Sequence, residues 1–186
     1  MNNKWNAVSE ILWRKKKCIL LFLLVFLLFI LFIKYSIETG KSINTVSPSN
    51  CLFCKIANGS RTPHKLEFEN DEYVIFMDKR PVSTHHYLAI PKTHYDSLNV
   101  LNKSHVGLVS RMQHGMIRFL ESKGVDTSDA IIGFHIPPFI SQKHLHLHGI
   151  SPVSEMSLSN RISFLMPSFW AKAANDAIDE LRRSEL

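Results

Sequence analysis

The segment SQKHLHLHG, residues 141–149, places His144, His146 and His148 at strict two-residue spacing with Leu145 and Leu147 in the gaps. Side chains of an extended strand point alternately to opposite faces, so the three imidazoles share one face and the leucines the other. Two chemistries use such a face. Neutral ring nitrogens can converge on a zinc ion that activates a bound water, or one ring can attack phosphorus and form a nucleotidyl-histidine that water then hydrolyses. Spacing alone leaves both open. Cys51 and Cys54 form a Cys-x-x-Cys pair far upstream, and Cys18 lies in an apolar run. Three cysteines are too few for a disulfide scaffold.

The elements that must position these rings read as α+β. Residues 65–69 and 73–77 predict a hairpin around Asn70-Asp71, and 87–90 predict a strand that stops at Pro91. Between 104 and 123, Val106, Val109, Met112, Met116 and Leu120 recur at helical steps, with Gly124 as the stop. The two methionines read as core filler. Residues 130–134 and 145–150 predict two more strands. From Pro167, Trp170, Ala173, Ala174, Ala177, Ile178 and Leu181 predict a C-terminal helix ending at Arg182 and Arg183.

The chain has 186 residues, 45% hydrophobic and 20% charged, which excludes collagen-like, repeat and low-complexity architectures. Its net charge of +6 is concentrated at one end, because the first fifty residues hold seven Lys/Arg against two Asp/Glu. Residues 51–186 are nearly neutral, so no nucleic-acid partner is expected. Residues 18–33 are sixteen consecutive apolar residues, a length that spans roughly 24 Å as a helix. With Tyr35 and Ile37 this predicts a transmembrane anchor over 18–37. A cleaved signal peptide fits less well, since 35–40 lack a small-x-small cleavage site. Lys4 and Arg14 to Lys17 precede the run, which predicts a single-pass membrane protein with a cytoplasmic N-terminus and the domain on the other side. The predicted organisation is a basic flank at 1–17, the anchor at 18–37, a polar tether at 38–50 and the folded domain at 51–186.

His144-Leu-His146-Leu-His148 followed by Ile150 resembles the His-x-His-x-His-x-x motif of the histidine triad (HIT) nucleotide-binding superfamily. Cys51 to Ile56 resembles that family's N-terminal segment, Phe76-Met77-Asp78 its ribose-binding strand end, and His86 to His94 its next strand. Thr84-His85-His86-Tyr87 and Gly133 to Phe139 are most similar to the third nucleotide-binding subgroup, the adenosine 5'-monophosphoramidases. The resemblance implies a HIT-like fold with a five-stranded antiparallel sheet, a long central helix, a C-terminal helix and a homodimeric assembly. It implies hydrolysis of AMP–amine conjugates with no cofactor for the chemistry. His146 would be the nucleophile, with His148 and Ser141 acting at the phosphate. Phe53, Ile56, Asp78, Lys79, His135 and His144 would complete the nucleotide site, Asp78 at the ribose hydroxyls. Cys51, Cys54, His94 and His144 match the family's structural zinc ligands. Dinucleoside polyphosphate hydrolysis, nucleotidyl transfer and a non-catalytic membrane-tethered nucleotide-binding adaptor share the same motif. Lys79 departs from a position that is usually aliphatic, His135 stands where many relatives carry Asn, and Ile140 replaces a usual Gln.

Overall fold

The computed structural model describes residues 50–60 and 65–184, together with 13, 16–17, 19–21, 23–31 and 34. The chain divides into two compact units, Met1–Ile43 and Asn44–Leu186. In the first, residues 23–31 are helical and exposed. No helix among the described residues is long and apolar enough to cross a membrane. This corrects the expected transmembrane anchor at 18–37 and with it the single-pass localisation. Most of the basic flank and the tether at 38–50 lie outside the described residues, Asn50 excepted.

The second unit contains α1 (Leu52–Ala57), β1 (Leu66–Glu69), β2 (Tyr73–Met77), β3 (His85–Pro91), α2 (Val106–Ser122), β4 (Ile131–His135), β5 (Leu147–Ser151), α3 (Leu158–Ser163), β6 (Ala171–Ala173) and α4 (Ala174–Arg183). The strands form one antiparallel sheet in the order β1-β2-β3-β5-β4-β6. The hairpin turns at Asn70, whose Oδ1 accepts from the N–H groups of Glu72 and Tyr73 at 2.9 and 2.8 Å.

Period-two alternation sorts the sheet's side chains. Tyr73, Ile75, Tyr87, Ala89 and Leu147 pack with Val109, Met112, Met116 and Leu120 of α2 and Ala177, Ile178 and Leu181 of α4. Val74, Phe76, Leu88 and Ile90 point the other way and pack on Cys51, Phe53, Cys54 and Ile56. Met112 and Met116 are fully buried in the core, as their helical spacing predicts. The helix lies so close to β5 that a Cβ at Gly149 would stand 2.5 Å from the Met116 sulfur. Glycine there lets the sheet seat against α2.

Six strands replace the predicted five. Residues 171–173 bond the open edge of β4, with Gly133, Phe134 and His135 opposite Ala173, Lys172 and Ala171. Helical spacing through 167–181 is real only from Ala174 onward. Before it, backbone pairing with β4 outweighs local helix preference, and Pro167 lies outside any helix. The last predicted strand also shifts, since β5 begins at Leu147, leaving His144 in a bend and His146 in irregular backbone. The alternation nonetheless persists through them, because Leu145 joins the α2 side of the core.

Candidate active site

The sheet face opposite α2 carries two histidine clusters that meet at His144. On one side lies a cavity of about 220 Å³ whose walls include Phe53, Ile56, Phe76, Asp78, Lys79, Arg80, Ser141, Gln142, His146 and His148. A slightly larger cavity, about 270 Å³, lies near Leu98, Ile136 and Leu181. It presents no imidazole or thiol among the described residues, which leaves the smaller one as the candidate site.

His146 is buried, and its Nδ1–H donates to the carbonyl of His144 at 2.7 Å. A neutral imidazole has one donor and one acceptor nitrogen, so Nε2 keeps its lone pair. Burial holds the ring's pKa below the ordinary histidine value, against the pull of that carbonyl bond. Phe53 packs edge-on against the same ring with centroids 5.5 Å apart and also touches Phe76.

The hydrogen-bond network assigns the tautomer of His148 as well. The Val82 N–H donates to His86 Nδ1 at 3.3 Å, so His86 carries its hydrogen on Nε2. That Nε2–H donates to His148 Nδ1 at 3.0 Å. His148 therefore carries hydrogen on Nε2, a buried atom with no partner among the described residues. Burial holds His148 well below the histidine range and pushes His86 down to about 4, although Asp78 acts in the opposite sense on His86. An orphaned buried donor beside a nucleophilic lone pair is prepared for an anionic oxygen. Asp78, His86 and His148 also approach one another closely enough to suggest a metal. The single hydrogen on His86 Nε2 is directed at His148 Nδ1, so a hydrogen bond joins these two rings instead, with Asp78 alongside but outside hydrogen-bond distance.

Asp78 accepts the Arg80 backbone N–H on Oδ1 at 2.8 Å, and its Oδ2 lies 3.6 Å from His86 Nε2. Ser141 and Lys79 are exposed at the cavity wall. His135 does not line this cavity. Its Nε2–H donates to the Ser163 carbonyl at 3.0 Å, and its ring stands 5.0 Å from that of His148. Phe164, which sequence reasoning did not single out, packs against His86, His135 and His148. It follows a short helix and carries no motif. His86 was recognisable only as a family position, and its role as the donor to His148 required coordinates.

The ring of His144 faces away from this cavity, into the second cluster. Its Nε2–H donates to the Pro91 carbonyl at 2.9 Å, and the His94 Nε2–H donates to Asp96 at 2.8 Å. Both rings thus present Nδ1 lone pairs inward, 3.2 Å apart. Sγ of Cys54 lies 3.2 Å from His94 Nδ1 and 3.5 Å from His144 Nδ1, and Sγ of Cys51 lies 3.4 Å from His144 Nδ1. Tetrahedral zinc with its usual Zn–S and Zn–N bond lengths separates such donors by roughly 3.3–3.6 Å. Outward hydrogen bonds that fix each imidazole are also what zinc-binding histidines require. Burial pushes His144 down to about 4 and, with the neighbouring Cys51, pushes the Cys54 thiol up to about 11. The four residues fit a tetrahedral metal in both spacing and donor type.

Residues 50–163 match the family model described as "Scavenger mRNA decapping enzyme C-term binding". With the sheet and the histidine face, this places the chain in the histidine triad superfamily. Within it, the chain is 37% identical over 152 residues to the adenosine 5'-monophosphoramidase HINT3 of Xenopus tropicalis, covering 80% of this chain and 99% of that one. The mouse protein of the same name is 37% identical over 137 residues, covering 73% and 83%. A histidine triad protein from Clostridium difficile superposes with a TM-score of 0.51 at 33% identity, over 54% of this chain and 88% of the other.

Proposed function

We propose that this chain is a nucleoside phosphoramidate hydrolase that cleaves the P–N bond of AMP–amine conjugates. The carrying observation is the 2.7 Å bond from His146 Nδ1–H to the His144 carbonyl, which leaves Nε2 unprotonated at the cavity. Nε2 forms a bond to the α-phosphorus as the P–N bond breaks. The amine leaves with the bonding pair and takes a proton from solvent at the open wall near Ser141 and Gln142. Water then attacks phosphorus, the P–Nε2 bond breaks back to the ring, AMP is released and a proton returns to solvent. His148 Nε2–H is placed to donate to a phosphate oxygen as charge accumulates. Phe53 and Ile56 supply an apolar wall for the base, and Asp78 an acceptor for ribose hydroxyls. The similarity to proteins named adenosine 5'-monophosphoramidases supports the P–N substrate over a dinucleotide.

Cys51, Cys54, His94 and His144 would hold a structural zinc, which supplies rigidity rather than reaction chemistry. The homodimer belongs to the same reading, and light scattering should give about twice the 21.4 kDa chain mass. Intact-mass analysis of samples quenched at alkaline pH, where the P–N bond of a nucleotidyl-histidine survives, tests the chemistry during turnover of adenosine 5'-phosphoramidate. An AMP adduct mapping to His146 is expected. Turnover without an adduct would remove the covalent mechanism.

A further inference from the structure

The short helix α3 ends beside the cavity imidazoles, yet none of its own side chains is buried. A helix of this length is not stable by itself, so its placement depends on what grips its ends. At its C-terminus the Ile162 carbonyl accepts from Trp170 Nε1–H at 3.2 Å, and the Ser163 carbonyl accepts from His135 Nε2–H at 3.0 Å. Ser163 needs such an outside donor, because the residue four places on is Pro167, which has no N–H.

His135 also grips the next residue. Its ring lies against that of Phe164, with centroids 4.6 Å apart and planes tilted by 34°. Phe164 is buried and stands edge-on to both His148 and His86, at 5.1 and 5.7 Å. It therefore packs across the two rings whose 3.0 Å hydrogen bond gives His148 its tautomer. Both rings are almost wholly buried, and exclusion of water strengthens the bond between them.

We propose that His135 is a positioning residue for His148: its Nε2–H fixes the end of α3, so that Phe164 holds the His86–His148 pair dry and the His148 Nε2–H stays aimed into the cavity. This differs from contact with the nucleotide, since His135 does not line that cavity. The proposal rests on the phosphoramidase reading only for what the aimed hydrogen does.

The test separates the ring of His135 from its hydrogen. His135→Phe keeps an aromatic ring against Phe164 but loses the donor, whereas His135→Gln loses the ring and can place an N–H near the position of Nε2. With adenosine 5'-phosphoramidate, His135→Phe should lower kcat about fivefold with KM within about twofold, and His135→Gln should recover most of kcat. In ¹⁵N spectra the His148 hydrogen should reside on Nε2 in the unmodified chain and in His135→Gln, and divide between both ring nitrogens in His135→Phe. Unchanged kcat and spectra in His135→Phe, or equal losses in the two variants, overturn the proposal. Should His135→Phe fail to fold, Phe164→Leu removes the ring at the other end of the link. It should show the same loss of kcat and the same divided hydrogen, and behaviour like the unmodified chain overturns the proposal. If the unmodified chain hydrolyses no phosphoramidate, the hydrolase reading falls and the spectra decide alone. A hydrogen divided in His135→Phe and restored in His135→Gln then retains the positioning role, and unchanged spectra sink both.

Discussion

The two histidine clusters share a sheet face and a residue, yet their rings are set for opposite tasks. In the Cys51/Cys54/His94/His144 cluster, both imidazoles direct N–H outward, to Pro91 and Asp96, and turn lone pairs toward each other. In the cavity cluster, backbone and ring partners leave one lone pair, on His146, beside one free N–H, on His148. The first cluster adds two thiols that the second lacks. Among the imidazoles, what differs is the partner of the remote ring nitrogen, which sets whether a lone pair or an N–H is turned inward.

The contrast breaks most sharply at His146. His146→Ala should reduce turnover of adenosine 5'-phosphoramidate by more than about 10⁴-fold, because no other ring among the described residues presents a lone pair to the cavity. Steady-state rates and loss of the alkali-stable adduct check it. His148→Ala should reduce kcat by about 10²- to 10³-fold, the usual effect of losing one donor to developing charge. His86→Phe keeps a ring but removes the hydrogen directed at His148 Nδ1. A fall in kcat of about tenfold with little change in KM is expected, being smaller than loss of His148 itself. In ¹⁵N spectra the hydrogen on His148 should no longer reside solely on Nε2. Cys51→Ser/Cys54→Ser or chelation should leave kcat within about threefold at a temperature where the domain stays folded, while lowering Tm by on the order of 10 °C. Bound zinc near one per chain in the unmodified protein completes that comparison.

Periodic signals in the sequence located most of this architecture. The two-residue spacing of His144, His146 and His148 set the functional face even though only His148 lies within β5, because Leu145 and Leu147 are both drawn into the core. The α2 spacing was equally legible, since one amphipathic stripe meets one partner surface. Ala171–Ala173 was not, because a three-residue strand has no period and exists only through the edge of β4. Nor was Phe164, which reaches the rings of His86, His135 and His148 through the tertiary fold. The apolar run at 18–33 shows the converse: its composition alone predicted a span that no helix among the described residues provides.

The brevity of β6 has a practical consequence. Three residues shield the outer backbone of β4, and α4 continues directly from them. Clipping the chain ahead of Ala171 would uncover a row of unsatisfied amides ready to recruit a neighbour's strand. Material trimmed there should self-associate into sheet-rich particles while the cavity imidazoles remain chemically unaltered.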